Sequence, residues 1–167
     1  MAQLTQTITE SITLDTGSIS STTTETVDDI VDVYKRILTI PSGADVIAAA
    51  FVDAIGADTD PSVESFDKQN IRYIRITNID TTNPITVNIL IDVGAGDTAD
   101  GNIAHLLEAG KSLILWGKAS GGLVATLGCS DSSASAIAPA SDIVNITLDS
   151  VSATAKCELL IASTVIS

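Results

Sequence analysis

Apolar and polar residues alternate through much of the chain, most plainly from Ile85 to Val93. There Ile85, Val87, Ile89, Ile91 and Val93 are apolar, Thr86, Asn88 and Asp92 stand between them, and Leu90 alone breaks the polar row. A period of two sends successive side chains to opposite faces, so this segment predicts a strand with one face in a core. Ile71 to Asp80 predicts a second strand. Ile74 and Ile76 share one face with Arg72 and Asn78, and Ile71, Tyr73 and Ile79 share the other with Arg75 and Thr77. Between the two lies Asp80-Thr81-Thr82-Asn83-Pro84. Its Asx turn formers, and a proline that cannot donate to a ladder, predict a hairpin loop.

Further segments follow the same rule. Thr5 to Leu14 sets Ile8, Ile12 and Leu14 against Thr5, Thr7, Thr9 and Thr13, and Asp15-Thr16-Gly17 predicts a turn after it. Val33 to Ile40, Lys111 to Trp116, Gly122 to Leu127, Ile143 to Leu148 and Lys156 to Ile166 complete the expected strands. Two segments are ambiguous. Val46 to Ile55 is alanine-rich, which favours helix, but Val46, Ile47, Phe51, Val52 and Ile55 favour strand, and strand is the expectation. Ile103 to Leu107 fits either state. Ser18 to Glu25 reads as a mobile arm or an edge strand. Asp92 to Asn102 and Cys129 to Asp142 read as loops. Short strands separated by turn signals predict an all-β chain: a single-domain β-sandwich, jelly-roll-like, over residues 27–167. Residues 1–26 would form an extended N-terminal Thr/Ser-rich arm or edge strands.

Composition narrows the function. Of 167 residues 45% are apolar and 17% charged, below the usual quarter, so some apolar surface is expected in subunit contacts. Acidic residues outnumber basic ones 21 to 8, for a net charge of −13. Such a chain is repelled by nucleic-acid phosphates and by anionic lipid, so neither partner is expected. Met1 to Glu10 has no basic start or apolar stretch of signal type, and no run of about 18 apolar residues exists to span a membrane. The cysteines, Cys129 and Cys157, read as two buried thiols of a reducing compartment.

Candidate chemistry is sparse. Gly110-Lys111-Ser112 ends like a phosphate-binding loop, but His105 stands where the first glycine belongs and a strand follows instead of a helix. Gly94-Ala95-Gly96 has alanine at position 99 and no helix after it, so it reads as a surface turn. Asp92, Asp97 and Asp100 with Asn102 match no EF-hand spacing and lack its closing glutamate, and Asp53, Asp58 and Asp60 read alike: solvated acidic turns. His105 is the single histidine, no Gly-x-Ser-x-Gly elbow is present, and one His with two distant Cys makes a poor zinc set. Trp116, Tyr34, Tyr73, Phe51 and Phe66 are the whole aromatic stock, expected as core anchors and too few for a sugar-lined cleft. No catalytic, cofactor-binding or metal residue is expected, and no cofactor.

The segments Tyr73 to Ile91 (YIRITNIDTTNPITVNILI) and His105 to Trp116 (HLLEAGKSLILW) resemble small β-sandwich virion proteins of tailed bacteriophages, marine and cyanobacterial ones especially. Thr5 to Leu14 and Val33 to Thr39 fit the same pattern. The resemblance implies a non-enzymatic structural role in the virion, first as a capsid decoration, cement or head-fibre component. A neck or tail protein and a glycan-binding host-recognition module are the alternatives. It also implies a homo-oligomer, with a trimer expected, and contacts to a major capsid or tail protein. An arm at the N-terminus could then add a strand to a neighbour's open sheet.

Overall fold

The structure is a computed structural model, and it describes residues 2–52, 65–92, 101–116, 142–150 and 152–164. The expected strand from Gly122 to Leu127 lies outside them. So do most of the two long loops, Asp53, Asp58 and Asp60, the Gly94-Ala95-Gly96 turn, Asp97, Asp100 and Cys129.

All described elements are strands: β1 (Ala2–Leu14), β2 (Gly17–Ile30), β3 (Asp32–Ile40), β4 (Val46–Val52), β5 (Ser65–Asp67), β6 (Ile71–Asn78), β7 (Ile85–Asp92), β8 (Gly101–Leu107), β9 (Ser112–Trp116), β10 (Asp142–Asp149) and β11 (Ala155–Ser163). They form a five-stranded sheet ordered β5-β4-β10-β7-β8, a four-stranded sheet ordered β3-β11-β6-β9, and the separate pair β1-β2. The two larger sheets close over one core as a β-sandwich. Both ambiguous segments are strands, β4 and β8.

Four antiparallel pairs are nested in the sequence: β3 with β11, β4 with β10, β6 with β9, and β7 with β8. This is one long double ribbon, folded so that alternate pairs fall in opposite sheets. The ladders β11–β6 and β10–β7 join the turns of the ribbon. The core holds the inward rows: Ile85, Val87, Ile89 and Ile91 from β7, Ile74 and Ile76 from β6, Cys157, Leu159 and Ile161 from β11, and Ile143, Ile146 and Leu148 from β10. Tyr34 meets Phe66 edge-on at 5.2 Å between ring centroids.

Three expectations are corrected. β6 and β7 are not a hairpin, because they lie in different sheets and the 79–84 segment carries the chain across the sandwich. The inward isoleucines of the two strands face each other over the core instead of lying side by side. Second, Ile71 is fully buried in the main core although it stands two residues from Tyr73, whose ring lies in a separate cluster on the far side of the sheet. A register shift, where Ala162 pairs with Tyr73 but Ser163 pairs with Ile71, places an extra residue, Arg72, in β6 and reverses the phase. Third, Trp116 is not a core anchor. It lies on edge strand β9 with 36% of its surface exposed.

The first two strands make a ribbon of their own. β1 and β2 pair from Leu14↔Gly17 down to Leu4↔Val27, with Asp15-Thr16 as a two-residue turn. Near the base the register shifts between Ala2 and Leu4, and Asp29 sits at φ 61°. Aspartate is among the few non-glycine residues that tolerate this left-handed conformation, and the bulge it makes turns the ribbon into β3.

Candidate interaction surface

The ribbon has two unlike faces. One carries Thr5, Thr7, Thr9, Ser11 and Thr13 opposite Thr26, Thr24, Thr22, Ser20 and Ser18, hydroxyl against hydroxyl throughout. Thr7 and Thr24 approach to 3.3 Å and Thr9 and Thr22 to 3.4 Å between hydroxyl oxygens. The other face carries Leu4, Gln6, Ile8, Glu10, Ile12 and Leu14 opposite Val27, Glu25, Thr23, Ser21, Ile19 and Gly17.

At its base the apolar face is covered. Val27 and Ile30 are buried with Tyr73 and Ala162, and Leu4, Ile114 and Leu160 pack against them. The ribbon therefore sits on the outer face of the four-stranded sheet. It does not stay there. Thirteen residues of β1 span about 44 Å, whereas the nine of β11 span about 30 Å, so the ribbon outruns the sheet beneath it. Ile8, Ile12, Leu14 and Ile19 are 45–62% exposed. Where the ribbon lifts away, a recess of about 360 Å³ opens between Leu4, Gln6 and Ile8 above and Tyr73, Arg75, Ile114 and Leu160 below. The Gln6 amide and Arg75 Nε have no hydrogen-bond partner among the described residues, so the seat under the ribbon is imperfectly satisfied.

The outer face beside that seat combines charge with apolar surface. Glu158 on β11 accepts from Lys35 Nζ at 2.9 Å and from Arg75 at 2.8 Å. These two cations, Lys35 foremost, hold its carboxyl below the usual glutamate range. Outward on edge strand β3, Val33 and Ile37 flank Lys35 and are more than half exposed, and Val31 just before the strand is exposed to the same degree.

Residues of the Tyr73–Ile91 and His105–Trp116 segments meet at one end of the sandwich, and their work there is architectural. Asn78 is fully buried. Its side-chain amide donates to the carbonyls of Asn83 at 2.9 Å and Leu107 at 3.0 Å, while its Oδ1 accepts from the Asp80 N–H at 3.0 Å. Its main chain accepts from Gly110 N–H and donates to the Lys111 carbonyl, both at 2.9 Å. Asp80 in turn gathers the N–H groups of Thr82 and Asn83, which hold its carboxyl below the usual range, Asn83 contributing most. Gly110, at φ 73°, makes the turn between β8 and β9 that only glycine adopts freely. Gly110-Lys111-Ser112 is thus a turn followed by strand, as expected, and the strand it enters lies in the opposite sheet.

The other candidates are dispersed. His105 is exposed on edge strand β8, opposite Val87. Cys157 is buried in the other sheet between Leu38 and Asn78, and burial pushes its thiol up to about 12, so it stays protonated at neutral pH. Among the described residues, no three His, Cys, Asp or Glu side chains gather as a metal set. Sequence reasoning did not single out the outward row of β3, Asn78, or the Lys35–Glu158–Arg75 triad. Asn78 did carry a signal, as a polar residue in phase with inward isoleucines. No protein-family model, curated protein or solved structure matches the chain.

Proposed function

We propose that the chain is a non-enzymatic virion structural protein of a tailed bacteriophage, a capsid decoration or head-fibre component that works through contacts between subunits. The observation that carries this reading is the ribbon, whose apolar face is seated at its base and uncovered along its outer half. A two-stranded ribbon is at best marginally stable in water, and an uncovered apolar row on one is a surface awaiting a protein partner. The nested pairing supports the reading too. A folded double ribbon of this kind favours a jelly-roll winding, an architecture that recurs in capsid proteins. The likeness of the Tyr73–Ile91 and His105–Trp116 segments to virion proteins points the same way.

The test is quantitative mass spectrometry of purified particles from a phage that encodes the chain. The expected result is a copy number fixed relative to the major capsid protein. Absence of the chain from washed particles overturns the proposal.

A further inference from the structure

We infer that the outer half of the ribbon docks on the outer face of β3 in a second copy of this chain, with Glu10 against Lys35. The inference deepens the subunit-contact part of the proposed function and names the surfaces on both sides.

The two surfaces match residue by residue. Along β1 the uncovered row reads Ile8, Glu10, Ile12, Leu14. Along the outward row of β3, in the opposite direction, it reads Ile37, Lys35, Val33. Both rows step by two residues, about 7 Å. Laid antiparallel, they bring Ile8 to Ile37, Glu10 to Lys35 and Ile12 to Val33, with Leu14 reaching past the start of the strand. The four apolar members, Ile8, Ile12, Val33 and Ile37, are 45–60% exposed in the single chain. Ile19, opposite Ile12 on the ribbon, widens the apolar footprint.

Charge selects this partner over the obvious rival. Were ribbons to pack apolar face to apolar face, Glu10 of each copy would be drawn toward Glu10 of the other, and buried like charges are costly. The β3 face instead offers Lys35, which pairs with Glu158 yet keeps 57% of its side chain exposed, and with Arg75 and Lys156 it leaves three cations against that one carboxylate. In a chain with 8 basic residues against 21 acidic ones, an apolar patch that carries lysine is a scarce feature. The site is also continuous with the seat the ribbon already uses. Ala162, beneath the ribbon base, pairs across the ladder with Val33. The ribbon turns its hydroxyl face to solvent in this arrangement, which suits ten Ser and Thr side chains. Giver and receiver are different surfaces, so each copy does both, and the contact builds a reciprocal pair, a closed ring or an open filament according to the rotation between copies.

The test uses the full-length chain in sedimentation velocity, with circular dichroism to verify folding. Wild type is expected to be oligomeric. Ile12→Asp disables the giving surface and Val33→Asp the receiving one. Both sites are exposed in the single chain, so each variant should fold and lose at least tenfold in association. Mixing the two variants at raised concentration should then give a one-to-one dimer, since one intact ribbon meets one intact β3 face. Glu10→Lys should also weaken assembly. A monomeric wild type, an unaffected Val33→Asp variant, or a mixture that never dimerises overturns the inference. A monomer that is nonetheless found in particles removes only the ribbon contact, whereas an oligomer absent from particles removes only the virion reading.

Discussion

Replacing Asn78 with alanine tests the idea that one buried amide holds two sheet-crossing turns together. The substitution deletes three hydrogen bonds: to the Asn83 carbonyl, to the Leu107 carbonyl and from the Asp80 N–H. The Leu107 carbonyl is buried, and stranding it costs about 1–3 kcal/mol. The other two partners are part-buried, and water recovers some of their loss, leaving about 0.5–1 kcal/mol each. The variant should therefore be about 3 kcal/mol less stable, a large share of the roughly 5–15 kcal/mol typical of a domain. For a chain of this length that lowers Tm by about 6–12 °C. Urea unfolding followed by circular dichroism measures it. Asn78→Asp sharpens the test, because it keeps the shape but points an acceptor at two carbonyls. Its carboxyl should be held above the usual aspartate range, so the folded state binds the extra proton and the deficit should grow as pH rises. An alanine variant within about 0.5 kcal/mol of wild type, or an aspartate variant insensitive to pH, refutes the reasoning.

Two further outcomes are expected. Glu158 sits below its ordinary value of 4.5 in the folded chain, so its contribution to stability is full above that pH and fades as pH falls through the folded value. Glu158→Gln should flatten the acid limb of a stability–pH curve, and an unchanged limb would show that Lys35 and Arg75 add nothing. In a Cys129→Ser background, Cys157 should resist alkylation at neutral pH until the chain unfolds, because its buried thiol is pushed up to about 12. Rapid labelling of the native protein would contradict that placement.

Much of the sandwich was legible because its strands are buried on one face. β7 shows this best, since its four described apolar residues in alternation all lie in the core. What escaped depended on register. The phase reversal at Arg72 is imposed by how β11 meets β6, and nothing within Ile71–Asn78 announces it. The 79–84 segment has the composition of a tight turn whether its strands pair or part, so the sequence could not reveal that it bridges two sheets. The Asp15-Thr16 turn was readable, but the pairing of the Ser/Thr tract with β1 was not, because threonine-rich strands specify register weakly. The outward row of β3 went unnoticed for a simpler reason. Exposed valine and isoleucine look like core residues until the fold shows which way they point.

The nesting of the strand pairs also implies an order of events. The innermost pair, β7 with β8, closes a short stretch of chain, whereas β3 with β11 joins Asp32 to Ser163 across almost the whole length. Ends that distant meet late, since their loss of freedom is compensated only after the intervening turns have formed. The β1–β2 ribbon, by contrast, is local and can zip early. A nascent copy thus carries its grappling hook before it owns a landing place, and only a fully wound copy can accept a neighbour. Copies that are still unwound are thereby kept from receiving a neighbour's ribbon.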